Sequence, residues 1–583
     1  MSAPAKAAGL PIGVDNQQIA EVFEEIAELL ALQDANPFRI RAYRNAARTL
    51  RGEEHPLAER IAAGQALPKL PGIGHDLTEK ITELARSGEC QLLNRLRREV
   101  PPGLGELLQL PGIGPKRAHQ LYHELGVDSL AALREAVAGG RVRRLSGFGR
   151  TLEDKLRRAL ASRTSGQQRY LLPQAAAQAG PLLDYLKQLP LVERALIAGS
   201  YRRRRDTVGD LDVLLQADAQ DGQAMAAVLR FPAIAEVFAS GATRASLGLR
   251  GGMQVDVRIV AADSFGAALQ YFTGSKAHGI ALRRRAQAQG CKLNEYGLFR
   301  DGNKLAGRNE ADIYQALGLP PIPPELREDS GEIDAAEHNR LPRLIELDDL
   351  RGDLHCHTNA SDGHDSLRQM ALAAQRRGWQ YLAITEHSRR LSVAHGLDTD
   401  RLLRQLDEID RLNDELHGLT LLKGIEVEIL ADGSLDLPDE LLARLDIVVG
   451  AVHSHYQLSR ARQTARLQRA MDSPHFNILA HPCGRLLLQR EPYPLDIERV
   501  IAHAKQRGCF LELNAQPQRL DLDDHCCRLA KHQGVLLSIA SDAHRASDFD
   551  LLEFGIGQAR RGCLEAADAL NSRSLAQLRR LLR

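Results

Sequence analysis

Asp210 and Asp212 stand two residues apart at the start of an apolar run, Leu211 to Leu215, that reads as a strand. Side chains alternate faces along a strand, so carboxylates at i and i+2 project side by side. Carboxylates held that close repel, and a divalent cation or a shared proton relieves them. Just upstream, Ala195 to Ala198 reads as a short buried strand leading into the string G-S-Y-R-R-R-R from Gly199. Gly199 and Ser200 can turn backbone N–H groups toward a phosphate, and Arg203 adds positive charge. Further on, Gly252 to Val260 alternates as a strand, with Asp256 on one face beside Gln254 and Arg258. A third carboxylate from a neighbouring strand is what a two-metal nucleotidyl-transfer site needs. The chemistry indicated is phosphoryl or nucleotidyl transfer. The plainer alternative is a solvated acidic strand edge beside a basic loop.

A second set of reactive residues fills the C-terminal part. Asp353-Leu354-His355-Cys356-His357 alternates, so His355 and His357 share a face, with Asp362 in the following Ser-Asp-Gly turn. Then come Thr385-Glu386-His387, Gly424-Ile425-Glu426, Val452-His453-Ser454-His455, Ala480-His481-Pro482 and Ser541-Asp542-Ala543-His544. Most follow short β-like runs (Tyr381 to Ile384, Asp446 to Val449, Asn477 to Ala480, Val535 to Ile539), with helical stretches between. Ligands at repeated strand ends are the layout of a β/α barrel's active face. Imidazole and carboxylate without thiolate suit Zn²⁺, Mn²⁺ or Fe²⁺.

The elements that must position these groups belong to several domains, since 583 residues exceed one core. A charged fraction of 26% and an apolar fraction of 44% are those of a soluble globular chain. A net charge of +1 gives no global basic signature, so local clusters such as Arg202 to Arg205 and Arg283 to Arg285 must carry any nucleic-acid contact. The eight cysteines show no C-x-x-C pair, which argues against a disulfide framework or a thiolate zinc site. No apolar run is long enough to span a bilayer, and Met1 to Asp15 lacks a signal-peptide layout. A cytosolic location is expected.

Asn16 to Leu160 reads as mostly helical, with Ile19, Val22, Phe23, Ile26, Leu29 and Leu30 at helical spacing. Within it Leu70-Pro71-Gly72-Ile73-Gly74 recurs as Leu110-Pro111-Gly112-Ile113-Gly114, and more loosely as Leu145-Ser146-Gly147-Phe148-Gly149. A Gly-x-Gly turn before a helix such as Lys116 to Leu125 exposes N–H groups that hold phosphate without reading sequence. Two near-identical copies predict helix-hairpin-helix contacts to the DNA backbone. Tyr170 to Pro320 alternates strands and helices and includes Tyr271-Phe272-Thr273-Gly274-Ser275, whose aromatic pair fits core packing equally well. The prolines at 320, 321, 323 and 324, followed by an acidic run to Leu347, read as a linker.

Taken together, LPGIG twice, GSYRRR, GDLD, QVDVR, YFTGS and LNEYGLF resemble the family X DNA polymerases of bacterial and archaeal type. The resemblance runs from about Asn16 to Gly318. It implies a multidomain α and α/β architecture, with helical N-terminal domains, a nucleotidyltransferase palm and a thumb. Asp210, Asp212 and Asp256 would be catalytic ligands of Mg²⁺ or Mn²⁺. Ser200, Arg203, Gly209, Tyr271, Phe272 and Gly274 would bind the deoxynucleoside triphosphate, and Gly72, Gly74, Gly112, Gly114, Lys116 and Arg283 the DNA. Lys80 falls where the family's 5′-deoxyribose-phosphate lyase nucleophile lies, with Arg39 and Tyr43 at its phosphate pocket. Asp76 departs from that pattern, where a basic residue would serve better, and Gly279 lacks a side chain to touch the incoming base.

From about Asp349 onward the chain resembles the polymerase and histidinol phosphatase domain, implying a C-terminal distorted β/α barrel. The implied three-metal site, of Mn²⁺ or Zn²⁺, maps onto His355, His357, Asp362, His387, Glu426, His453, His481, Asp542 and His544. His455 lies beside the set, Glu386 replaces a common aspartate, and Asn514 is a weaker candidate. The domains expected are a lyase-type unit over 1–88, fingers over 89–165, palm over 166–262, thumb over 263–318, a linker over 319–347 and the phosphoesterase over 348–583. The function implied is short-gap filling in base excision repair, on gapped or primer–template DNA, by a monomer in a bacterial cytosol or nucleoid. A 3′–5′ exonuclease, also implied as an abasic-site endonuclease, would accompany it. The rivals are a repair nuclease that uses the palm only to hold DNA, a phosphatase of small esters, a non-catalytic gap-recognising scaffold and a terminal or small-molecule nucleotidyltransferase.

Overall fold

The computed structural model describes residues 16–582, apart from positions 34, 52, 54–56, 63–64, 66, 68–69, 71, 102–103, 105–106, 108–109, 111, 167 and 219–221. Pro71, Pro111 and the N-terminal segment Met1 to Asp15 lie outside the described residues. The chain divides into two compact units, residues 1–164 and 165–583.

The first unit is helical. Helices α1 (Asn16–Leu32) and α2 (Pro37–Arg51) pack through Ile19, Phe23, Ile26, Tyr43 and Leu50. Helix α3 (His75–Ser87) adds Leu77, Ile81 and Leu84, and α4 (Gln91–Glu99) adds Leu92, Leu93 and Leu96 to the same core. The break expected at residue 88 therefore cuts through one core: α4 belongs with the helices before it. Helix α5 (Pro115–Leu125) builds a second cluster with Leu133, Val142, Phe148 and Leu156.

The second unit opens with a five-stranded sheet of order β1-β2-β5-β4-β3. Its strands are β1 (Arg194–Ile197), β2 (Asp210–Gln216), β3 (Ile234–Ser240), β4 (Arg244–Leu249) and β5 (Gln254–Val260). Alternation decides the orientation of β2. Leu211, Val213 and Leu215 enter the main core, while Leu214 faces helix α6 (Phe265–Thr273). Asp210 and Asp212 share Leu214's face and are only partly buried.

Helix α7 (Lys276–Ala288) and the antiparallel strands β6 (Lys292–Asn294), β7 (Gly297–Arg300) and β8 (Asn303–Ala306) follow. The segment from 319 to 347, expected as a linker, is a packed strap. Ile322, Leu326, Ala336 and Leu344 are buried in one cluster with Leu282, Leu298 and Tyr314. Arg327, 1% exposed, donates to Glu310 and to the Ile322 carbonyl. At the prolines stands a buried anchor, because apolar and paired charged residues alternate with the polar ones.

Seven parallel strands then pair in chain order: β9 (Gly352–Asp353), β10 (Tyr381–Ile384), β11 (Thr420–Glu428), β12 (Ile447–Ala451), β13 (Ile478–Leu479), β14 (Phe510–Asn514) and β15 (Leu537–Ala540). A parallel bridge between Cys356 and Ala543 joins the first strand to the last, and the His357 N–H donates to the Ala543 carbonyl at 2.8 Å. The sheet is a nearly closed barrel, as the strand-end histidines required.

Candidate active sites

In the five-stranded sheet, β2 and β5 run parallel with Asp212 directly opposite Asp256 and Asp210 opposite Gln254. The three carboxylates thus converge at one end of the sheet. Gln254 donates to Asp256 (3.1 Å), fixing it from its own strand. Burial and then the neighbouring Asp210 and Asp256 push the Asp212 carboxyl up to about 7. Burial and then Asp256 likewise raise Asp210. Three carboxylates crowded at one sheet end are a donor set suited to hard divalent cations.

Gly199 begins the one-turn helix Gly199–Arg202 with φ of +63°, and a Cβ there would lie 2.3 Å from Asp212 Oδ2. Only glycine lets this loop cross so close to the carboxylate. Arg203 stands beside the triad: its charge acts on Asp212, and its Nη1 lies 3.2 Å from where a Cβ of Gly274 would be. Ser200 lies within the same short helix, and Gly209 precedes β2. Arg169, which the sequence did not single out, approaches Gly209 and acts on Asp210 while donating to Thr207 (2.8 and 2.6 Å). Tyr271 and Phe272 end α6; Arg283 lies over the Tyr271 ring at 5.7 Å and Arg258 over the Phe272 ring at 4.2 Å. Gly279, with a Cβ position 3.6 Å from Arg283 Nη1, leaves space at that position.

The barrel gathers its candidate donor residues at the C-terminal strand ends. His355 and His357 follow β9, His387 follows β10, Glu426 lies in β11, His453 follows β12, His481 follows β13, and Asp542 and His544 follow β15. Three overlapping groups each bring donor atoms within 4.8 Å of one another: His357, Asp362, His387 and His544; His355, His357 and Asp542; His387, Glu426 and His453. His481 reaches Glu426 at 3.2 Å. All nine expected residues meet in one cluster. Among the described residues, buried atoms without a hydrogen-bond partner include both ring nitrogens of His357, Nε2 of His355 and Oε2 of Glu426. Buried polar atoms left unpaired on one cluster are what metal ions satisfy, so the donor set fits them.

Electrostatics agree with this reading. Burial, then His387, pushes His357 down to about 3. Against the opposing effect of burial, Glu426 and Asp362 hold His387 up at about 10. Imidazoles whose rings stack 4.4 Å apart therefore part widely in proton affinity. A metal ion competes with these protons for the same nitrogens.

Carboxylates behind the ligands fix the rings, and the sequence reading missed them. Glu512 holds His355 Nδ1 (2.7 Å) and accepts from the His481 N–H (2.7 Å). Glu428 holds His453 Nδ1 (2.9 Å). The signal was period two: Glu428 shares Glu426's face of β11, and Glu512 shares that of Asn514 on β14. Asn514 donates to Asp542 (3.1 Å) and so positions a ligand. Glu386 is buried among Thr358, Ser361 and Gln405, away from the donor groups. His455 is exposed and joins none of the clusters, because its left-handed backbone (φ +57°) turns it outward.

In the first unit the glycine strings form one turn three times. The Ile73, Ile113 and Phe148 N–H groups donate to the Leu70, Leu110 and Leu145 carbonyls, with Gly72, Gly112 and Gly147 at φ near +80°. That is a type II turn, which reserves its third position for glycine. Gly74 and Gly114 then cap α3 and α5. Arg117 donates to the carbonyls of Gly112 (2.6 Å) and Gly147 (3.0 Å), tying the second turn to the third, and Lys116 beside it is exposed. Lys80 pairs with Asp76 (3.1 Å) and lines a pocket of about 810 Å³ with Arg39, Arg95 and Arg98. Tyr43, expected at a phosphate pocket, is instead core: its ring packs edge-on against Phe23 and is 1% exposed.

Four families match the chain. Residues 268–328 match the DNA polymerase beta thumb, 14–90 a helix-hairpin-helix domain, 104–162 a SAM-like helix-hairpin-helix tandem, and 353–516 the PHP domain. A polymerase thumb, two DNA-gripping helical modules and a PHP barrel on one chain define the class, a DNA polymerase with a fused PHP domain. The chain belongs to the PolX family of family X DNA polymerases. It is 38% identical over 571 residues, 97% of this chain and 99% of the relative, to the DNA polymerase/3′-5′ exonuclease PolX of Bacillus subtilis (strain 168). Shorter similarity extends to probable phosphatases. One from Thermoanaerobacter sp. (strain X514) is 31% identical over 34% of this chain and 82% of its own. Another, from Syntrophotalea carbinolica, is 32% identical over 38% and 88%.

Proposed function

We propose that the chain fills short gaps in DNA with its palm and removes 3′-terminal nucleotides with its barrel, serving base excision repair. The observation that carries this is the coexistence of two complete donor sets, Asp210–Asp212–Asp256 and the nine-residue barrel cluster. A DNA-holding scaffold would need neither. In the palm, Asp210, Asp212 and Asp256 would hold Mg²⁺ or Mn²⁺, which when bound acidifies the primer hydroxyl and screens the triphosphate. Asp256, held by Gln254, accepts the proton of the 3′-hydroxyl. Arg203 and the N–H groups at Gly199 and Ser200 hold the phosphates, while Tyr271, Phe272 and Gly274 wall the sugar. In the barrel the nine ligands would hold Mn²⁺ or Zn²⁺, which supplies an activated water and stabilises the leaving oxygen. Glu512 and Glu428 keep His355 and His453 in the tautomer that offers Nε2 inward.

The proposed substrate is gapped or primer–template DNA, gripped by the glycine turns at Gly72, Gly74, Gly112 and Gly114 with Lys116, and by Arg283. Among the described residues no helix is long and apolar enough to cross a membrane; a monomer working in the cytosol is part of the proposal. Lyase chemistry at Lys80 is a second reading, carried by its cationic pocket. The Asp76 carboxylate holds that amine in an ion pair at 3.1 Å, so Schiff-base formation needs the pair to open. Borohydride trapping of an abasic-site oligonucleotide, lost in Lys80→Ala, tests it.

The principal test is a labelled primer on one-nucleotide-gapped DNA with Mn²⁺. Asp256→Ala is expected to abolish extension and spare shortening, and His355→Ala the reverse. A wild type that shortens the primer but never extends it would reduce the palm to a DNA-holding platform.

A further inference from the structure

The loop that follows Gly199 does not stand on the palm alone. Helix α8 (Leu552–Arg561), which belongs to the barrel, packs beneath it. Phe554 joins the palm core, Arg204 pairs with Glu553 (2.9 Å), and a Cβ at Gly557 would sit 3.3 Å from the Arg204 side chain. At the end of the helix Arg561, 2% exposed, donates from Nη1 to the Arg203 carbonyl (3.2 Å) and to Glu328 Oε1 (3.1 Å). Its Nη2 is anchored to Asp524. The same Glu328 oxygen accepts from Arg203 Nε (3.0 Å), and Arg203 Nη1 donates to the Thr273 carbonyl. Arg205 approaches that carboxylate at 3.8 Å.

One carboxylate of the strap is thus shared between a palm arginine and a barrel arginine. Alone, Glu328 would cancel the Arg203 charge. With Arg561 on the same oxygen and Arg205 close by, the three arginines outweigh Glu328 and Asp524 by one positive charge beside the carboxylate triad, and the Arg203 backbone is fixed as well. We propose that Arg561 is a positioning residue for the polymerase reaction: from the barrel, through Glu328, it orients and charge-balances Arg203 for the incoming triphosphate. The proposal rests on the reading of Arg203 as a phosphate-binding residue and extends it to a residue outside the polymerase domains.

The test uses the full-length chain. The KM for the deoxynucleoside triphosphate and kcat in one-nucleotide gap filling are measured alongside 3′-end removal and thermal unfolding. Arg561→Gln is expected to raise KM three- to tenfold with kcat and 3′-end removal within twofold, and Arg561→Lys, which keeps the charge, to recover much of the loss. Because Arg561 acts through Arg203, Arg561→Gln should add nothing in an Arg203→Gln background. An unchanged KM, or effects that multiply in the double variant, overturns the proposal. So does a parallel loss of kcat, 3′-end removal and cooperative unfolding, which would make Arg561 a structural prop. If Arg561→Gln does not fold, Arg561→Lys alone carries the same outcomes at smaller amplitude. A wild type that incorporates no nucleotide would count against the polymerase reading itself, whatever the variants do.

Discussion

Gly199 and Glu512 show what single residues contribute that their types alone do not reveal. Gly199→Ala would push a methyl into the Asp212 carboxylate, and the +63° backbone resists any side chain. The expected outcome is a folded chain whose nucleotide incorporation falls at least a hundredfold while 3′-end removal persists, read on one primer in one gel. Glu512→Gln keeps its size but loses the charge behind His355 and His481. Metal affinity of the barrel should fall about 10- to 100-fold, the usual cost of disturbing such a partner. A competition titration with a coloured chelator measures it, and unchanged affinity would refute the role. The residues of the barrel cluster were legible because histidine and aspartate recur after each apolar run. Their supporting glutamates were not, since a glutamate inside a strand looks alike whether it orients a histidine or faces solvent.

Among the elements, β2 and the glycine turns were the most readable. Alternation along D-L-D-V-L-L placed Asp210 and Asp212 on one face, and the register against β5 then set Asp256 beside Asp212. No single-chain pattern gives that register; it comes from packing two strands. The strap was misread for a related reason. Prolines and acids dominate its composition, but Ile322, Leu326 and Leu344 at wide spacing find a core that only the thumb supplies. The turns lead to a binding prediction. Lys116→Ala, exposed at the start of α5, should lower the slope of log affinity against log salt by about one, equally on any DNA sequence. A slope that does not change would remove this lysine from the phosphate contacts.

Across the whole second unit, charged residues serve as joints. Glu310, at the start of the helix Glu310–Ala316, accepts from Arg202 (2.7 and 2.8 Å) on the palm loop and from Arg327 on the strap. Although burial opposes it, these arginines hold the Glu310 carboxyl down at about 2. A depressed carboxyl stabilises the fold fully above its ordinary range and loses that contribution as pH falls from about 4.5 toward 2. The contribution is roughly 3 kcal/mol. Glu310→Gln should therefore lower the unfolding midpoint clearly at pH 6 and much less near pH 3. A gap that stays constant with pH would show that the joint is steric.

The barrel closes only when Ala543 meets Cys356, and α8 follows that closure. Translation therefore delivers the two halves in a fixed temporal order. The carboxylate cleft is complete as a sequence once Asp256 has emerged, while Arg561 is still 305 residues away. At about 5–20 residues per second, that interval is roughly 15 to 60 seconds. During it the palm exists without the helix beneath its loop, and the barrel histidines lack His544. A ribosome that stops early releases a product with neither a finished nuclease nor a balanced nucleotide loop. His544 and Arg561 emerge within 17 residues of each other, which ties the maturation of the two sites to the same late moment of synthesis.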